Sequence, residues 1–195
     1  MHAYSTDSGE RRVLPLFVAV AAIGASIGAL HLLRLARIEV PGWLSPLDTM
    51  TFYGLLYWVF DRVMWKWRWI HSLSVTRIPN LSGTWRGEVR TTSGESAGAT
   101  TEIEMVVQQS WTEISLRGHT RQSTSQSLSA HMVVSDERVL SYEYRNEPLA
   151  SASTTMHAHR GSARLWIENG DRVLKGDYYS GRDRQTIGTI HLTRK

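Results

Sequence analysis

Cysteine is absent from the 195 residues, so no disulfide braces the chain, as suits a reducing compartment. Catalytic signatures are absent as well: there is no nucleophile elbow, no glycine-rich phosphate loop and no paired-carboxylate motif. His157 and His159 have a chelating spacing, but no third ligand follows at a recognisable interval. They are left with a structural or binding role, and no metal is expected. Acidic side chains are scattered on turn-like stretches, where they are solvated. With nothing to carry catalysis, the chain is expected to be neither an enzyme nor the holder of a cofactor. From residue 79 onward an excess of charge is also missing, because 14 Lys and Arg meet 13 Asp and Glu. A broad DNA- or RNA-binding surface would need a basic stripe, so no nucleic-acid polymer is expected as a partner. A small anion held in a cavity needs only a few cations.

Residues 13–33, VLPLFVAVAAIGASIGALHLL, are 21 positions without Asp, Glu, Lys or Arg. About 20 such residues cross a bilayer core as a helix. Arg11 and Arg12 would also suit a signal peptide, but the run is longer than a signal core and a second apolar segment follows at 43–60, WLSPLDTMTFYGLLYWVF. Asp48 and Pro46 weaken that second segment, since a charge within a span usually faces a partner or water. The expected organisation is an N-terminal tail over 1–12, two transmembrane helices and a juxtamembrane segment over 13–78, and a separate domain over 79–195. Five of the eight Trp lie between 43 and 69, and Trp65, Trp67 and Trp69 interleave with Lys66 and Arg68, as at lipid headgroups. Arg11 and Arg12 before the hairpin and four cations between 62 and 77 after it outnumber Arg34 and Arg37 in the loop. The positive-inside rule then puts both ends in the cytoplasm. Gly24 and Gly28 form a GxxxG flanked by Ala21, Ala25 and Ala29, a stripe through which helices associate in lipid. Gly and Ala are also common in such helices for no special reason, so self-association is one of two readings.

From Pro79 the apolar runs shorten and alternate with period two, broken by turn residues about every ten positions. Strands are expected at 82–91, 100–110, 112–120, 123–134, 138–146, 154–168 (one bent strand or two), 172–179 and 186–194. Simple succession of this many short strands indicates an all-β domain, a small eight-stranded up-and-down barrel of lipocalin-like form preceded by the two-helix transmembrane hairpin. A sandwich is the other candidate. Parity groups Trp85 with Leu81 and Val89, Leu140 with Tyr142, Tyr144 and Asn146, His159 with Ala163 and Leu165, and Leu174 with Tyr178. Each strand thus carries apolar residues at one end of a face and polar or aromatic ones at the other. That is the pattern of a barrel plugged at one end and open as a cup at the other, with room for one small ligand.

The stretch RQSTSQSLSA, 121–130, places Ser123, Ser125, Ser127 and Ser129 on one strand face. Leu128, Ala130, Met132 and Val134 have the opposite parity. For Ser123 and Ser125 to face inward, a bulge or bend must reset the register near residue 126. Parity alone leaves their direction open.

The ordered series GTWRG at 83–87, QSW at 109–111, the spaced serines after Thr120, LSYEYRNEP at 140–148, HRGSARL at 159–165, GDYYSGR at 176–182 and the closing GTIHLTRK spans the domain. With the paired apolar segments before it, the chain resembles the two-transmembrane, β-strand-rich effectors of bacterial cyclic-oligonucleotide-based anti-phage signalling systems (CBASS). The resemblance implies a bacterial inner-membrane, two-pass protein whose cytoplasmic barrel binds a cyclic dinucleotide. Binding would drive homo-oligomerisation, with the helices disrupting membrane lipid and ending infection with the cell. Aromatics for base stacking would come from Trp85, Tyr142, Tyr144 and Tyr178. Polar and cationic partners would come from Thr120, Ser123, Ser125, Asn146, His159, Arg160 and Arg182. Gly24 and Gly28 would serve helix packing. Two other readings are a membrane-tethered lipocalin-like carrier or sensor of an apolar ligand, which needs an interior apolar from end to end, and a structural envelope protein whose barrel wall binds another protein.

Overall fold

Alternating side chains can close a meander into a barrel only if the first and last strands also find each other. The computed structural model shows that closure. It describes residues 1–37, 45–94, 97–135, 137–152, 157–181 and 185–195. Eight strands follow one another: β3 Gly83–Ser93, β4 Thr100–Gln109, β5 Glu113–His119, β6 Ser123–Val133, β7 Val139–Pro148, β8 His159–Glu168, β9 Val173–Ser180 and β10 Ile187–Arg194. Each pairs antiparallel with the next, and β10 pairs back onto β3, with Ile190 opposite Val89 and Leu192 opposite Gly87. All eight fall where the alternation placed strands. The long stretch from 154 is one strand that begins only at His159. The apolar plug is formed by Leu81, Trp85, Met105, Leu116, Leu140, Leu165, Leu174 and Leu192, none more than 2% exposed. Full burial of a large aliphatic side chain stabilises by ~1.5–3 kcal/mol, so this end holds the barrel together.

One seam is incomplete. Strands β5 and β6 pair only over Arg117–Gln126, Gly118–Ser125 and His119–Thr124. Beyond that they part, and the first residues of the chain fill the gap. A two-residue strand β1, His2–Ala3, runs antiparallel to β5, and another, β2, Ser5–Thr6, runs parallel to β6. The wedge is held by side chains. The Ser127 hydroxyl accepts from the Leu116 N–H at 3.0 Å and is hydrogen-bonded to His2 Nε2 at 2.8 Å. The Tyr4 hydroxyl donates to the Trp111 carbonyl at 3.1 Å and accepts from Gln109 Nε2 at 3.3 Å. Asp7 accepts from the Val134 N–H at 2.8 Å, the Ser135 N–H at 3.2 Å and the Ser135 hydroxyl. These bonds, the Ser135 hydroxyl first, hold the Asp7 carboxyl below its ordinary 3.8. Residues Met1–Asp7 therefore belong with Ile78–Lys195, and Ser8–Arg77 forms a second unit. The N-terminal tail expected over 1–12 thus divides, its first seven residues completing the barrel wall.

In the second unit α1 spans Glu10–Leu35, a 26-residue helix that extends the apolar run at both ends. Among the described residues it is the one helix long and apolar enough to cross a bilayer. The next helix, α2, spans Ser45–Arg62 and packs on α1. The Asp48 side chain lies outside the described residues. A 3₁₀ turn at Met64–Lys66 and a short helix α3, Arg68–Ser72, follow. The buried small residues of α1 are Ala22 and Ser26, a turn apart on one stripe. Gly24 and Gly28 point elsewhere, and a Cβ on either would meet no described atom within 4 Å.

Candidate functional site

The interior above the plug is a cavity of ≈ 190 Å³, open at its mouth. Its walls come from every strand of the barrel. Val89, Ile103, Met105 and Ile190 form an apolar floor, and hydroxyl, amide and aromatic groups line the upper half. Eight of the residues singled out by parity or resemblance meet there: Thr120, Ser123, Ser125, Tyr142, Tyr144, Asn146, His159 and Tyr178.

A local device on β6 decides the serine question. The register against β7 slips between Ser127 and Ser129, so that Ser127 lies opposite Tyr144 while Ser129 lies opposite Glu143. Leu128 is the extra residue of this β-bulge and is thrown outward, 43% exposed. Before the bulge, Ser123 and Ser125 face the cavity and Ser127 is buried at the seam. After it, Met132 faces the plug. Both parities are therefore correct, each for its own half of the strand.

The aromatic rings are kept back against the wall by glycines across the strand. Tyr144 pairs with Gly161, where a Cβ would lie 2.4 Å from the Tyr144 hydroxyl. Tyr178 pairs with Gly188, where a Cβ would lie 2.5 Å from the ring. The Tyr178 hydroxyl also bonds Thr91 Oγ1 at 2.8 Å. Tyr142 and Tyr144 are tilted neighbours, centroids 6.1 Å apart. Burial, and secondarily Tyr144, pushes the Tyr142 phenol well above its ordinary value, so it remains a neutral hydroxyl. Thr120 shapes the β5–β6 turn: its N–H donates to the Ser123 carbonyl at 2.9 Å, and its hydroxyl accepts from the Ser123 N–H at 3.0 Å. His159, 8% exposed, sets its Nδ1 3.0 Å from the His157 carbonyl. A carbonyl only accepts, so Nδ1 carries the proton.

Two expected site residues lie elsewhere. Trp85 faces inward but at the closed end, fully buried, donating from Nε1 to the Leu81 carbonyl at 2.9 Å with Arg194 over its ring. It belongs to the plug because β3 enters the barrel from that side. Arg160 is exposed on the outer wall beside Arg145, since the residue after His159 must point the other way. Arg182 lies outside the described residues. Thr91, Thr101, Gly118 and Thr186 line the cavity and were missed. Thr91 shares its parity with Trp85 and Val89, so extending that face by one step would have found it. Among the described lining residues none is Lys, Arg, Asp or Glu, and the described residues hold no cluster of three metal-ligating side chains.

The QSW segment has a structural explanation. Gln109 accepts from the Leu81 N–H at 2.8 Å and donates to the Pro79 carbonyl at 3.1 Å and to Tyr4, tying the barrel's entry to the N-terminal wedge.

Comparison with known proteins places this arrangement. The family model described as Cap15, cyclic dinucleotide receptor domain, matches residues 76–194. The CD-NTase-associated protein 15 of Yersinia aleksiciae is 30% identical over 146 residues, covering 73% of this chain and 67% of that protein. That of Escherichia albertii is 23% identical over 156 residues, covering 75% and 78%. The family match begins just before the barrel and ends one residue short of the C-terminus, taking in all eight strands that build the cup, and the chain belongs to the Cap15 cyclic dinucleotide receptor domain family.

Proposed function

We propose that this chain is a membrane-anchored CBASS effector whose barrel receives a cyclic dinucleotide in the cup. Occupancy then drives association of the transmembrane helices and disruption of the inner membrane. The observation that carries the reading is the cavity itself, lined by three tyrosines, two of them held back by cross-strand glycines, with small hydroxyls leaving space between them. Base stacking on such rings contributes ~1–3 kcal/mol per base. An apolar carrier would want the upper half of the cup apolar too, and it is hydroxyl-rich.

The two-pass topology is supported by connectivity. Residues 1–7 and 78–195 form one folded unit, so the segment between them leaves and returns on the same side of a membrane and crosses it an even number of times. The Arg77 N–H donates to the Glu10 carboxylate at 3.1 Å, tying the two ends of that segment to each other. If α1 spans, α2 is the return. At 18 residues it is about 27 Å long, slightly under the ~30 Å hydrocarbon core. The flanking Arg11, Arg12, Arg62, Lys66, Arg68 and Arg77 favour the cytoplasm for the barrel.

The test is calorimetric titration of the full chain in detergent micelles with a panel of cyclic di- and trinucleotides. One-to-one binding of one cyclic dinucleotide, lost in Tyr144→Ala, is expected. Silence across the panel from a barrel shown to be folded would refute the receptor reading.

A further inference from the structure

We infer that His159 reads the edge of a base, accepting a hydrogen bond from a base N–H, and is not a phosphate contact. The inference rests on the receptor reading above and assigns one contact within it. His159 opens β8 with its ring turned into the cup, and it is more than nine-tenths buried. Its Nδ1 proton is committed to the His157 carbonyl at 3.0 Å. In the neutral imidazole that leaves Nε2 with a lone pair and no proton, and Nε2 has no protein partner among the described residues. An acceptor aimed into a cavity is filled by a ligand donor, and a phosphodiester has none to offer. Nucleobases carry ring or exocyclic N–H groups along their pairing edges; a ribose hydroxyl, the ligand's other donor, can also accept, so it would tolerate a protonated Nε2 where a base N–H would not.

The surroundings agree. Asn146 stands directly opposite His159 in the β7–β8 register, so the two side chains lie side by side on the inner face. Among the described residues, the titratable side chains that line the cavity with His159 are Tyr142 and Tyr144 from β7 and Tyr178 from β9. No Asp, Glu, Lys or Arg is among the described cavity residues, and Arg160 points outward.

The sign of a pH profile separates the two roles. The full chain in micelles is titrated with its preferred cyclic dinucleotide at pH 7.5 and at pH 5.5, with a thermal melt at each pH to verify folding. For an acceptor, protonating Nε2 sets a donor against a donor, and affinity is expected to fall roughly tenfold or more on acidification. His159→Asn, whose amide oxygen still accepts, is expected to bind with little pH dependence. Affinity that rises on acidification, or a wild-type profile as flat as that of His159→Asn, overturns the assignment while leaving the receptor reading standing. A folded barrel that binds no member of the panel at either pH overturns the receptor reading instead.

Discussion

Gly118 offers a perturbation that removes space from the cup without removing any functional group. It lies on β5 opposite Ser125, and a Cβ there would sit 2.5 Å from Ser125 Oγ and 3.2 Å from the Ile103 side chain, with no backbone atom among its nearest contacts. A larger residue must therefore project into the cavity of ≈ 190 Å³ or displace two of its lining side chains. For Gly118→Leu two stability terms oppose each other. Replacing a strand glycine and burying a leucine side chain favours folding by ~2–3 kcal/mol. Pushing Ser125 and Ile103 off their positions costs ~1–3 kcal/mol. The net is close to zero, and Tm is expected to stay within a few degrees of wild type. Binding responds differently, because the leucine occupies the ligand's volume. Affinity for the cyclic dinucleotide is expected to fall more than ~100-fold, equivalent to about 2.7 kcal/mol. Gly118→Ala is expected to give a smaller loss with unchanged or slightly raised Tm. Calorimetry and a thermal melt on the full chain in micelles read both quantities. A Gly118→Leu protein that melts normally and binds as wild type would refute the placement of the ligand in this cavity.

Tyr4→Phe removes a hydroxyl that both accepts from Gln109 and donates to Trp111, so the barrel should lose ~1–3 kcal/mol and several degrees of Tm. Cavity residues are untouched, and ligand affinity is expected to hold. Asp7 makes the wedge pH-sensitive with a definite sign. Its carboxyl is held below 3.8 in the folded chain, so its contribution is present above that value and disappears as pH falls through the lowered folded value. Amide exchange at Val134 and Ser135 should therefore be flat from pH 8 to 5 after correction for intrinsic rates and lose protection only in stronger acid, whereas Asp7→Asn should exchange faster throughout. Gly24→Ile with Gly28→Ile is expected to abolish killing on messenger production while leaving binding intact, because neither position carries the α1–α2 contact. Undiminished killing in the double variant would count against packing between copies through that stripe.

The sequence by itself determined the elements that depend on neighbours a few positions apart. Period-two alternation located all eight strands, because each must present one face to a core whatever its partner is. The charge-free run located α1 for the same kind of reason, and the apolar-to-polar gradient along each strand marked a plugged cup. Tertiary structure decided what depends on distant partners. The alternation at 123–134 is consistent with either face until β7 imposes a register, and the slip at Leu128 then turns the two halves of β6 to suit the plug and the cup separately. Trp85 and Val89 share a parity, yet one is plug and the other cavity floor, since depth along a strand is set by how the barrel closes. Arg160 looked like a ligand cation beside His159, and the pleat sends it outside. Gly161 and Gly188 look like ordinary turn or strand glycines until Tyr144 and Tyr178 lie against them. The first seven residues show the limit most plainly. Two strands of two residues each have no periodicity to read, and they exist only because β5 and β6 part at Ser127 and leave backbone donors and acceptors that His2–Thr6 can satisfy.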